Sequence, residues 1–74
     1  QYNMALDQYQ KVTEIDSNMP KVYKLLGDAY RKLGQSQLAI KNYKYFLELS
    51  PNTKYKNSIN TYIRTMQWGK NARY

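Results

Sequence analysis

The sequence predicts an all-α protein built from helical hairpins, and three observations carry that expectation. Apolar residues recur at spacings of three and four along four separate stretches. Gly, Pro, Ser and Asn interrupt the pattern between them. Finally, the chain aligns with itself when shifted by 34 residues, a period that belongs to stacked helix-turn-helix units.

The first stretch, 1–16, places Met4, Ala5, Tyr9, Val12 and Ile15 on one helical face, widened by Leu6. Ser17-Asn18-Met19-Pro20 ends it, with Ser or Asn able to cap the next helix and Pro20 fitting a first helical turn. In the second helix, 20–33, Val22, Tyr23, Leu25, Leu26, Gly27, Ala29, Tyr30 and Leu33 leave only one narrow polar stripe. A helix apolar over so much of its circumference must touch neighbours on more than one side. Gly34 supplies the left-handed residue that closes it.

Ser36 is the expected N-cap of a third helix, 37–49, with Leu38, Ala39, Ile40, Tyr43, Phe46, Leu47 and Leu49 apolar. The 34-residue shift carries Met4, Ala5, Leu6, Tyr9, Val12 and Ile15 onto Leu38, Ala39, Ile40, Tyr43, Phe46 and Leu49 without a gap. The first helix thus reads as the second half of a repeat whose first half is absent. After the Ser50-Pro51-Asn52-Thr53 turn, a fourth helix, 54–68, keeps a single apolar stripe of Tyr55, Ile59, Tyr62, Ile63 and Met66. The same shift puts Asn57, Asn60, Thr61 and Arg64 where Tyr23, Leu26, Gly27 and Tyr30 stood, so this helix reads as a cap. Trp68 is expected to pack against the preceding repeat, and 69–74 to be a short polar tail.

Tyr23-x2-Leu26-Gly27-x2-Tyr30, then Ala39-x3-Tyr43, then Pro51 is similar to the signature of the tetratricopeptide repeat, with Tyr23 for the usual Trp and Tyr43 for the usual Phe. The resemblance implies a solenoid fragment: 1–16 as the second helix of a truncated repeat, 20–51 as a complete repeat, 53–68 as a capping helix and 69–74 as a tail. It also implies a module for protein–protein interaction. Gly27 and Ala39 would sit where the two helices of the unit cross closely, a packing reason for a mid-helix glycine that otherwise costs about 1 kcal/mol relative to alanine.

Composition narrows the function further. At 74 residues the chain has room for one small domain. It begins with Gln1 rather than Met, with no signal-peptide pattern, and so reads as an excised or processed segment. Cysteine and histidine are absent, removing the commonest nucleophiles, general bases and transition-metal ligands. The five acids Asp7, Glu14, Asp16, Asp28 and Glu48 are scattered. With no Gly-rich phosphate loop or triad, neither an enzymatic activity nor a cofactor or metal is expected. No stretch is long and apolar enough to span a membrane. The formal charge of +7 favours an anionic partner.

The resemblance places the inner-helix stripe, Lys21, Lys24, Asp28, Arg31 and Lys32, in a concave groove, with Asn52 and Thr53 at its edge. Tyr55, Ser58, Tyr62 and Thr65 of the fourth helix would extend it. Four cations with one carboxylate suit an acidic peptide or protein. In members that clamp a chain-terminal carboxylate with Lys, Asn and Arg, Asn stands where this chain has Asp28. The alternative is a structural or self-assembling array, associating through the open face of its N-terminal helix, whose basic stripe only aids solubility. A third reading, nucleic-acid binding, has Lys41-x2-Lys44-Tyr45 and Lys54-Tyr55-Lys56 in its favour and no recognised nucleic-acid motif.

Overall fold

A computed structural model describes residues 2–71, with side chains over 3–68. Among these residues the chain forms four helices and no strand: α1 (Tyr2–Ile15), α2 (Pro20–Lys32), α3 (Ser36–Leu49) and α4 (Lys56–Asn71). Gln1 and residues 72–74 lie outside the described residues.

The helix ends differ in detail from the sequence expectation. Neither Ser17 nor Asn18 caps α2: the N-cap is Met19, with no side-chain cap bond, and Val22 N–H donates to the Met19 carbonyl at 3.1 Å. The Asp16 carboxylate instead accepts from Asn18 N–H at 2.9 Å, which tightens the preceding turn. Likewise Gln35, not Ser36, is the N-cap of α3, and its carbonyl accepts from Ala39 N–H. Tyr55 lies before α4 rather than inside it, because Thr53 closes two contacts there: its hydroxyl accepts from Tyr55 N–H and its carbonyl from Lys56 N–H. At the far end α4 continues to Asn71, so 69–71 are helical rather than a tail. One glycine costs a helix only about 1 kcal/mol, and no proline follows Gly69 to stop it.

Gly34 closes α2 as expected. Its φ of 78° is left-handed, its N–H donates to Arg31 O at 3.1 Å, and Gln35 N–H donates to Tyr30 O at 2.9 Å. That pair of bonds is a Schellman closure, and it turns the chain back so that α3 packs antiparallel on α2.

The core is Leu6 from α1, Val22, Leu26, Ala29 and Tyr30 from α2, Ala39, Tyr43 and Phe46 from α3, and Ile59 and Ile63 from α4. The α2–α3 interface is the most extensive, α2 also packs on α1, and α4 packs on α3. The widely apolar circumference of α2 is thereby covered on both sides. Buried tyrosines keep their hydroxyls bonded: Tyr30 accepts from Gln10 Nε2 at 2.7 Å, which ties α1 to α2. Gly27 is buried in α2 against the Tyr43 ring of α3. A Cβ built at Gly27 would stand 2.5 Å from Tyr43 Cδ1 and Cε1.

Positions related by the 34-residue shift differ in burial. Tyr43 and Ala39 are fully buried, whereas Tyr9 and Ala5 are half-buried; Leu49 is 40% exposed and Ile15 87%. The difference has a simple source. α3 has α2 on one side and α4 on the other, whereas α1 contacts only α2.

Candidate functional site

The stripe predicted on α2 exists, and the structure divides it in two. Asp28 sits at its centre. Lys24 Nζ donates to Asp28 Oδ2 at 3.0 Å, and an Arg31 terminal nitrogen lies 3.8 Å from Oδ1. From α3, the Tyr43 hydroxyl donates to Oδ1 of the same carboxylate and accepts from Arg31 Nε at 3.0 Å. Helical spacing brings Lys24, Asp28 and Arg31 together one turn apart, and the α2–α3 crossing at Gly27 brings in the phenol. Burial first, then the hydrogen bond to Asp28, pushes the Tyr43 phenol well above the usual tyrosine range. The hydrogen bond to Tyr43 leads in raising the Arg31 guanidinium.

The same two cations reach across to the turn before α4 and to α4 itself. Lys24 Nζ stands 4.6 Å from the centroid of the Tyr55 ring, and the Arg31 guanidinium 4.1 Å from that of Tyr62. The Tyr62 ring also stacks on Tyr43 at 6.0 Å. The α2 and α4 backbones do not approach closely, and the Arg31–Tyr62 contact is a side-chain link between them. Of the predicted contacts, then, Lys24, Asp28, Arg31, Tyr55 and Tyr62 form one connected cluster. Lys21 and Lys32 are exposed on the same side of α2, outside the network, and Asn52 is exposed in the turn. Ser58 and Thr65 are also exposed.

Next to the cluster lies a groove of about 500 Å³, lined by Pro20, Lys21, Lys24, Leu25, Phe46, Ser50, Thr53 and Tyr55. Sequence reasoning placed Lys21, Lys24, Thr53 and Tyr55 along a groove but did not name Leu25 and Phe46 as part of its lining, and it read Tyr43 as packing alone. Trp68 departs from expectation as well. It is 72% exposed, beside Arg64, Thr65 and Gln67, because it lies on the face of α4 opposite Ile59 and Met66, which pack on the core. Of the aromatic rings offered to the nucleic-acid reading, Tyr45 packs tilted at 42° against Tyr23 at 5.4 Å, and Tyr55 is approached by Lys24 and by Lys54. Among the described residues no group of acidic side chains is placed to hold a metal, and no helix is long and apolar enough to cross a membrane.

Searches of the curated proteins and of the solved structures give no match. The family model described as tetratricopeptide repeat matches residues 20–53. That segment holds α2, the Gly34 turn, α3 and the turn after it, and its length equals the period of the self-alignment. Such a repeat points to a scaffold for protein–protein interaction. Residues 20–53 of this chain are thus similar to a tetratricopeptide repeat, in sequence and in their helical-hairpin architecture.

Proposed function

We propose that the repeat presents the basic side of α2 to an acidic segment of a partner protein. One observation supports this above the others: Lys21 and Lys32 point to the same side of α2, three turns apart, with only Asp28 as counter-charge along the stripe. Eleven residues of helix span about 16 Å, which an extended segment covers in about five residues. The partner is thus an extended stretch whose carboxylates reach both lysines. Lys24 and Arg31 contribute field more than direct contact, since Asp28, Tyr43 and two aromatic rings already engage them.

The test is calorimetric titration of a short acidic peptide into the 74-residue chain, with Lys21→Glu and Lys32→Glu as variants. Each reversal is expected to weaken binding by about fivefold or more, with helicity unchanged and the loss growing at low salt. Affinity that is indifferent to both reversals would sink the proposal.

The inward turn of Lys24 and Arg31 favours a second reading, in which the stripe braces α2 to α4 and otherwise aids solubility. The exposed Met4 and Ile15 of α1 would then mark a self-assembling array. Sedimentation at rising concentration separates the two, because self-assembly requires a mass that climbs without any added peptide.

A further inference from the structure

We infer that the groove between the start of α2 and the 50–55 turn seats one bulky apolar side chain of the partner, next to a carboxylate. The inference rests on the acidic-partner function proposed above and adds a selection that charge cannot make. Lysines alone accept any acidic stretch; a shaped apolar seat distinguishes among such stretches.

The lining supports this occupant. Leu25 and the buried Phe46 supply apolar floor, and the Tyr55 ring forms a wall held in place by Lys24 and Lys54. Around that apolar floor stand donors suited to a carboxylate. Lys21 is exposed at the rim, and Lys24 spends one of its three N–H donors on Asp28. The Thr53 hydroxyl accepts from Tyr55 N–H and keeps its own proton to donate. No acidic side chain lines the groove itself; Asp28, bonded to Lys24 Nζ, is not among its lining residues. Its volume of about 500 Å³ suits one side chain with its flanking backbone.

Two other depressions lack this combination. The one beside Trp68 is lined by α4 residues alone. The one between α3 and α4 sets Glu48 beside Lys44, which cancels its charge.

The experiment is fluorescence anisotropy on the full 74-residue chain with two labelled peptides of equal negative charge. One carries a central leucine, the other a serine in its place. The leucine peptide is expected to bind about tenfold tighter, as burial of one such side chain implies. Tyr55→Ala should abolish most of that preference, read as the ratio of the two peptides' affinities, and Tyr55→Phe should retain it. Circular dichroism checks that both variants are helical, and the wild-type comparison decides even if Tyr55→Ala does not fold. Equal affinity for the two peptides overturns the groove but spares the acidic-partner function. Failure of both peptides to bind overturns both readings. Displacement of the leucine peptide by a single-stranded oligonucleotide at lower concentration than by unlabelled peptide would assign the site to nucleic acid and reject the inference.

Discussion

Gly27 and Tyr43 are packed so closely that the glycine's missing Cβ is the space the tyrosine ring occupies, 2.5 Å from where that atom would be. Substituting alanine at an exposed mid-helix glycine should stabilise by about 1 kcal/mol. Here overpacking opposes that gain, at a typical cost of about 1–3 kcal/mol. Gly27→Ala is therefore expected to lower the melting temperature, by several degrees for a domain of this size. A thermal melt followed by far-ultraviolet circular dichroism checks it, and a rise in stability would contradict the close crossing.

Tyr43→Phe keeps the ring and removes only the hydroxyl between Asp28 and Arg31. The partners are part-buried, so the expected loss is about 1 kcal/mol. The variant also carries a pH signature. Burial, and then the bond to Asp28, raises the phenol above its unfolded value of about 10. The protonated phenol is thus the form the fold favours. Its contribution is complete below pH ~10 and is lost as pH rises from there through the folded-state value, because the native state binds more protons in that window. Denaturant titrations between about pH 8 and 11 should show a steeper alkaline loss for the wild type than for Tyr43→Phe. Equal slopes would place the phenol outside the network.

Asp28 is the carboxylate already seated among the cations of the stripe, and it competes with any incoming acid. Asp28→Asn removes that competitor and retains an acceptor for the Tyr43 hydroxyl. Its ion pair with Lys24 is part-exposed and one helical turn apart, worth about 0.3–0.5 kcal/mol. The variant should stay folded and bind an acidic peptide several-fold more tightly. Weaker binding would mean that Asp28 itself contacts the partner.

Trp68 is the chain's one tryptophan, so its fluorescence reports on that site alone. At 72% exposure it should emit like indole in water, be readily quenched by iodide, and shift little on unfolding. Trp68→Ala should alter stability by less than about 0.5 kcal/mol. A blue-shifted emission would restore the packing role that the sequence suggests.

Much of the fold is legible in the sequence because it depends on periodicity. The spacing of Leu38, Ala39, Tyr43 and Phe46 places α3, and Gly34 ends α2, for reasons local to a few residues. The caps are less legible: Met19 and Gln35 use only their backbones, so no side-chain signature marks them. The division of the basic stripe is hidden for a different reason. Whether Lys24 and Arg31 face a partner or their own chain depends on where Tyr43, Tyr55 and Tyr62 arrive, and that depends on how the helices cross. Tyr43 occupies a position usually filled by Phe, so its ring is readable and its hydroxyl is not.

Chemical-shift mapping tests the central claim, that the basic side of α2 receives an acidic segment. An unlabelled acidic peptide is titrated into the ¹⁵N-labelled chain, and amide shifts are followed residue by residue. Saturable shifts are expected at Lys21, Lys24, Arg31, Lys32, Thr53 and Tyr55, with α3's exposed Lys41 and Lys44 unmoved. Shifts centred on Lys41 and Lys44, or spread evenly over all the lysines, would contradict the claim.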